Sequence, residues 1–284
     1  MNKLTTSERA QVIRCLVDGN SIRATERITG ITKKAISRLL VDIGEVCRSY
    51  QDEHFRDLSC RRLQLDEIWS FCGAKEKNAK PEKKANGWGD VWTWTAIDAD
   101  TKLIPSWLIG KRDAGCATEF VQDLAARLKH RVQITTDGHR PYLVAIESAF
   151  GSDVDYAVLV KIYGKPIAED KPETRYSPPT CIGIKVDMVT GNPDPGHIST
   201  SYVERSNLSI RTQMRRFTRL TNGFSKKLAN HAAAFALYMM FYNFGRVHQA
   251  LRVTPAMAAG VSSHVWDIEE IVGLLEAKEC LKTA

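Results

Sequence analysis

The chain has 284 residues, 43% hydrophobic and 26% charged, with a formal net charge of +7 and a pI near 9.0. This length accommodates one large domain or a small and a medium one, and the composition is that of an ordinary soluble globular protein with an anionic partner. The seven cysteines, at 15, 47, 60, 72, 116, 181 and 280, never form C-x-x-C, so neither a disulfide framework nor a zinc knuckle is expected.

The start of the chain, "MNKLTTSERAQVIRC", lacks the apolar core of a signal peptide, and the greasy run "AAAFALYMMF" is too short to span a bilayer. A cytoplasmic, nucleoid-associated protein without membrane contact is the expectation.

The first sixty residues read as helical. Thr5, Thr6 and Ser7 are N-cap candidates for a helix that stops at Gly19. Ser21 opens a second helix that Gly30 ends. Thr32 opens a third to Ile43, with Ala35, Ile36, Leu39, Leu40 and Ile43 on one face and Lys33, Lys34 and Arg38 off it. Helix, Gly-bearing turn and basic amphipathic helix suit a helix-turn-helix over 1–60, although a plain three-helix cap fits the same pattern.

From Arg62 the period changes to two. "LQLDEIWSF" predicts a strand, followed by a polar Lys-rich excursion near 73–90. "VWTWTAID", the turn "ADTK" and "LIPSWLIG" predict a hairpin. A helix at "DAGCATEFVQDLAARLKH", a strand at "VQITTD", a helix at "RPYLVAIESAFG" and a strand at "DYAVLVKIY" come next. A Pro/Gly-rich interruption near 165–200 precedes two helices, Ser201–Thr218 and Ser225–Phe244, and a helical tail over 251–284. Three antiparallel strands, then strands alternating with helices, is the layout of an RNase H-like α/β domain over 61–250, in which the first and fourth strands are neighbours.

Phosphoryl transfer on DNA needs charge neutralisation and in-line positioning, which two divalent ions held by a few carboxylates supply. Asp66 sits between apolar neighbours in the first strand, where an acid is costly unless paired or metal-bound; Glu67 beside it is the alternative buried acid. Asp137 ends the fourth strand, immediately before Gly138, a position that also suits a turn residue. Glu204 heads the helix after the interruption, with Arg211 two turns on. Asp98 reads as a turn former and a reserve fourth ligand; His139 and His248 read as structural or supporting.

From Arg205 to Lys227 there are basic residues at Arg205, Arg211, Arg215, Arg216, Arg219, Lys226 and Lys227 and no acid. A stripe of that kind suits a phosphate backbone, with Lys33, Lys34 and Arg38 as a second set of DNA contacts.

The blocks "LQLDEIWSF", "VWTWTAIDADTKLIPSWLIGKRD", "ITTDGHRPY", "YVERSN…RRFTRLTN" and "YNFGRVHQALRVTPAMAAG" resemble the insertion-sequence-one family of bacterial DDE transposases. The resemblance covers essentially the whole chain. It implies an RNase H-like (retroviral integrase-like) core whose acidic triad falls on Asp66, Asp137 and Glu204 and binds Mg²⁺ or Mn²⁺, two ions in all. It also implies metal-dependent strand cleavage at the element's terminal inverted repeats, transfer of the 3′-OH into target double-stranded DNA, and a homodimer or larger assembly. The Cys-rich zinc ribbon with which many members begin is not found before the helix-turn-helix, so end recognition would rest on the N-terminal helices and basic surfaces. A non-catalytic DNA-binding repressor or domesticated relative, and a general RNase H-like nuclease, are the competing readings.

Overall fold

A computed structural model describes residues 3–164, 180–218 and 222–283. The N-terminal caps act as their residue types dictate. Thr5 and Glu8 form a reciprocal capping box at the head of α1 (Thr6–Val17). Ser21 caps α2 (Ile22–Thr29), and Gly30, at φ 73°, closes it in the left-handed conformation that glycine adopts without strain. Thr32 accepts the Ala35 N–H to start α3.

The third helix is longer than its sequence pattern suggests: α3 runs Lys33–His54, through Gly44. Gly44 is not a stop but a contact point, since a Cβ there would lie 2.5 Å from Ala233 Cα on the helix packed against it.

Six strands form one sheet, β1 (Arg62–Cys72), β2 (Gly89–Asp98), β3 (Ser106–Gly110), β4 (Val132–Thr136), β5 (Val154–Tyr163) and β6 (Cys181–Thr190), in the order β3-β2-β1-β4-β5-β6. The β1–β2, β2–β3 and β5–β6 pairs are antiparallel, whereas β1–β4 and β4–β5 are parallel. β1 and β4 are therefore neighbours, as the order of elements predicts. The polar excursion carries a short α4 (Pro81–Lys84).

One expectation fails here. The Pro/Gly-rich interruption contains β6, whose alternating Ile182, Ile184, Val186 and Met188 are exposed rather than buried.

The pleat sends alternate residues to opposite faces. On one face Leu63, Leu65, Trp94, Ile134 and Tyr156 pack beneath α5 (Ala114–Ala125) and α6 (Pro141–Phe150), through Phe120, Leu124 and Tyr142. On the other, Ile68 and Ile97 meet α7 (Ser201–Gln213) and α8 (Leu228–Met240) through Val203, Ile210, Phe235 and Met239. α8 is thus held between the sheet and α3, which it meets through Ala233 and Leu237.

The tail forms α9 (Pro255–Ala258) and α10 (Ile268–Thr283), and α10 folds back on α1 and α3. Buried Arg9 anchors it to Glu279 at 3.0 Å, and Lys278 reaches Glu45 at 2.9 Å. Together these are a mixed α/β architecture with ten α-helices among the described residues, none long and apolar enough to cross a membrane.

The helix after the interruption is shorter than expected. α7 ends at Gln213 because Met214 turns extended (φ −112°, ψ 103°), and Arg215 and Arg216 lie in a separate 3-10 turn. The expected helix over Ser225–Phe244 begins at Leu228 and finishes in a π turn over Phe241–Gly245.

Candidate metal centre

The β1–β4 ladder ends at Leu65↔Thr136, so Asp66 and Asp137 each stand one residue past the last paired rung. Adjacent strands lie about 4.8 Å apart, which brings the two carboxylates together without help from any loop. Glu67 joins them: one oxygen from each of Asp66, Glu67 and Asp137 falls within 4.8 Å of the others.

Each acid is held in place. Asp66 Oδ1 accepts the Glu67 N–H at 2.8 Å, and its Oδ2 accepts from Asn207 Nδ2 of α7, also at 2.8 Å. Asp137 Oδ1 accepts the His139 N–H at 2.9 Å. Buried Glu67 accepts from Arg112 Nε and, at 3.2 Å, from the Tyr142 hydroxyl. The Arg112 guanidinium lies over the Trp92 ring at 4.9 Å. Arg112, Tyr142 and Asn207 went unremarked in the sequence, because their partners are distant in the chain.

The electrostatics are those of too much negative charge in too little water. Burial, then the Glu67 and Asp137 carboxylates, push Asp66 up to about 7. Burial and Asp137 also raise Glu67, against the opposing pull of Arg112. Tyr142 is pushed well above the ordinary phenol range by burial and by the three acids, so it remains a proton donor. Burial holds His139 below the usual imidazole range, which keeps it neutral against Trp94 and Tyr142.

Three oxygen donors, raised by crowding and offset by a single guanidinium, fit a hard divalent cation such as Mg²⁺ or Mn²⁺. No cysteine belongs to the group, which does not suit a thiolate zinc site.

Glu204 stands outside this set. Its Oε1 accepts from Lys161 Nζ of β5 at 2.5 Å and from Thr200 Oγ1 at 2.7 Å. Its cationic partner thus comes from β5, 43 residues earlier. It remains one turn from Asn207, which touches Asp66, so α7 edges the cluster with both residues on one face.

Asp98 is not a fourth ligand. Its Oδ2 accepts from the Thr101 N–H and hydroxyl in the hairpin turn, and it pairs with Leu63, three residues back along β1 from Asp66. That is about 10 Å along a strand. His248 belongs to the same end: its backbone N–H donates to Val253 O, and burial, Lys102 and Arg246 lower its pKa.

Lys33, Lys34 and Arg38 are exposed on the first turns of α3, and Arg205, Arg215, Lys226 and Lys227 are exposed beyond the sheet. Arg211 is half-buried on α7, and Arg219 lies outside the described residues. Arg216 does not join the exposed stripe: half-buried, it donates to Ser225 Oγ at 2.7 Å, and burial lowers its pKa. Ser225 in turn meets the buried His231 ring at 3.1 Å.

The two basic sets share a groove of about 1000 Å³. Arg23, Lys33, Lys34, Arg215, Lys226 and Lys227 line it, and no acid among the described residues does. Residues nearly two hundred positions apart meet there, a juxtaposition that local periodicity does not reveal.

No protein-family profile matches the sequence, and none of the curated proteins matches it. Among solved structures, the chain shows a distant likeness to a piggyBac transposase in a synaptic complex with hairpin DNA. The match has 11% identity and a TM-score of 0.39, and covers 98% of this chain and 72% of that one. So remote a likeness leaves the functional reading to the geometry of the site itself.

Proposed function

We propose that this chain is a DDE-type DNA transposase: it cleaves strands at the ends of an insertion element and joins the freed 3′-OH to target DNA. The observation that carries the reading is the convergence of Asp66, Glu67 and Asp137 on adjacent parallel strands, with Asn207 and Glu204 of α7 at their edge. In this reading β1–β5 with α5 and α6 are an RNase H-like core, α2 and α3 a helix-turn-helix within residues 1–60, and 251–284 a C-terminal tail.

Asp66 and Asp137, with Glu204 as the third acid and Glu67 beside them, would hold Mg²⁺ or Mn²⁺, which when bound neutralises phosphoryl oxygens and acidifies water. The protein's own groups do the rest. Asn207 fixes the orientation of Asp66, while Arg112 and Tyr142 fix Glu67. Lys161 holds Glu204 and balances its charge until DNA and ions arrive. Lys33, Lys34, Arg38, Arg205, Arg215, Lys226 and Lys227 contact phosphates and set the register of the duplex. Water and then the 3′-OH are the nucleophiles, so no covalent enzyme intermediate forms.

The test uses purified protein, DNA carrying the sequences that flank its own gene, and Mg²⁺ or Mn²⁺. Nicking and joining are expected, lost in Asp66→Asn, Asp137→Asn and Glu204→Gln while DNA binding persists. Specific binding without cleavage would replace this reading with a DNA-binding repressor. Cleavage without end preference would replace it with a general nuclease.

A further inference from the structure

β6 is the outer strand of the sheet, ten residues long, and its pairing partner among the described residues lies on one side only. An edge of that length is a template for another strand unless charge, proline or a bulge blocks it. Cys181–Thr190 contains no proline, and the irregularities of its pairing, at Ile182 and Val189, flank a regular run Gly183–Met188. Its cation, Lys185, is matched by Asp187 two residues on at 2.9 Å, so the edge carries no net charge against an approaching strand.

The apolar residues are exposed where a lone protein gains nothing from them. Ile182, Ile184 and Met188 are 68%, 61% and 55% exposed, and Val186 is 43% exposed. Ile184, Val186 and Met188 share one face with Lys161, Leu159 and Ala157 of β5, so they extend the α7 side of the sheet outward.

We propose that β6 pairs antiparallel with β6 of a second copy, about a twofold axis through Val186, to make one continuous sheet across a homodimer. The pattern of the strand is self-complementary in that register. Val186 faces its own equivalent, Ile184 faces Met188 of the second copy, and Lys185 faces Asp187 of the second copy. The Ile184–Met188 and Lys185–Asp187 relations each occur twice by symmetry, and the Val186 pair occurs once, on the axis. One face thus becomes a closed apolar strip and the other a four-membered alternating charge network. A strand of an unrelated protein would have no reason to match both faces at once.

The same register aligns the two acid clusters. Asp137 follows Thr136, whose partner is Val158, so it stands level with Leu159 and, across β5, with Val186. Each cluster therefore lies on the rung that contains the axis. From Asp66 to its equivalent there are seven strand spacings, about 34 Å. The dimer does not depend on the proposed chemistry, and its test is independent of cleavage.

Sedimentation velocity of the full chain should show a concentration-dependent monomer–dimer equilibrium. Lys185→Asp alone and Asp187→Lys alone each set like charges opposite one another twice, and each should weaken the dimer about tenfold. The double exchange Lys185→Asp with Asp187→Lys restores every pair and should return the affinity to within about threefold of the original. Val186→Cys should form an interchain disulfide on mild oxidation, because directly opposed Cα atoms lie about 4.5–5.5 Å apart. A protein that stays monomeric at all concentrations overturns the proposal. So does a dimer indifferent to both single charge changes, or one that Val186→Cys does not cross-link.

Discussion

Replacing Asp66 by asparagine should make the metal-free protein more stable, not less. The Asp66 carboxyl, ordinarily near 3.8, is pushed up to about 7 by burial and by Glu67 and Asp137. Between those values the folded protein holds a proton that the unfolded chain releases. Stability therefore falls as pH rises through the window, and the whole cost is present above about 7. Three units amount to roughly 4 kcal/mol, reduced to about 2–4 kcal/mol by the solvent that reaches this half-buried group.

The amide keeps the shape and removes the charge. Asn207 Oδ1, buried without a hydrogen-bond partner among the described residues, can accept from it after an amide flip. The Glu67 N–H keeps its acceptor at residue 66. Thermal unfolding followed by circular dichroism in EDTA should then show a gain of about 3–7 °C at about pH 8, shrinking toward zero at about pH 4. Equal or lower stability of the variant at about pH 8, or the same gain at both pH values, would refute the account of crowded charge.

The other expectations concern packing, acid and ions. Gly44→Ala should destabilise the fold by about 1–3 kcal/mol in urea unfolding, since the added methyl meets the Ala233 backbone where α3 crosses α8. His231, held down to about 3 mainly by burial, is neutral when folded and takes a proton when unfolded. Stability should therefore fall as pH drops from about 6.5 toward 3, and His231→Gln should flatten that slope; the Asp66→Asn background removes that carboxyl's opposing titration. Lys161→Ala frees Glu204 from its ammonium. It should tighten Mn²⁺ binding in a calorimetric titration if Glu204 is a ligand, and an unchanged affinity would remove Glu204 from the ion-binding set.

Much of this architecture was legible because it is local. Thr5, Ser21, Thr32 and Gly30 declare helix ends through their own side chains or backbone freedom. Asp66 and Asp137 were legible through chain order, since three antiparallel strands followed by a helix place β4 against β1. What escaped was decided elsewhere in the fold. The third helix was read only to Ile43, but α3 continues through Gly44, where packing against Ala233 makes a small residue necessary. β6 alternates as a strand should, yet without burial its pattern was masked by the prolines and glycines around it. The Lys161 partner of Glu204 was not legible, because it arrives from β5. Arg215 and Arg216 were read as part of a helix over Ser201–Thr218, whereas Met214 ends α7 and Arg216 donates to Ser225.

The central claim, that Asp66, Glu67 and Asp137 form a divalent-ion centre, is tested most directly by titrating Mn²⁺ into the protein and following free ion by electron paramagnetic resonance. The wild-type protein should bind the ion near neutral pH, and Asp66→Asn and Asp137→Asn should each abolish that binding while the fold persists. Wild-type affinity retained in both variants would contradict the assignment of the ion to these acids.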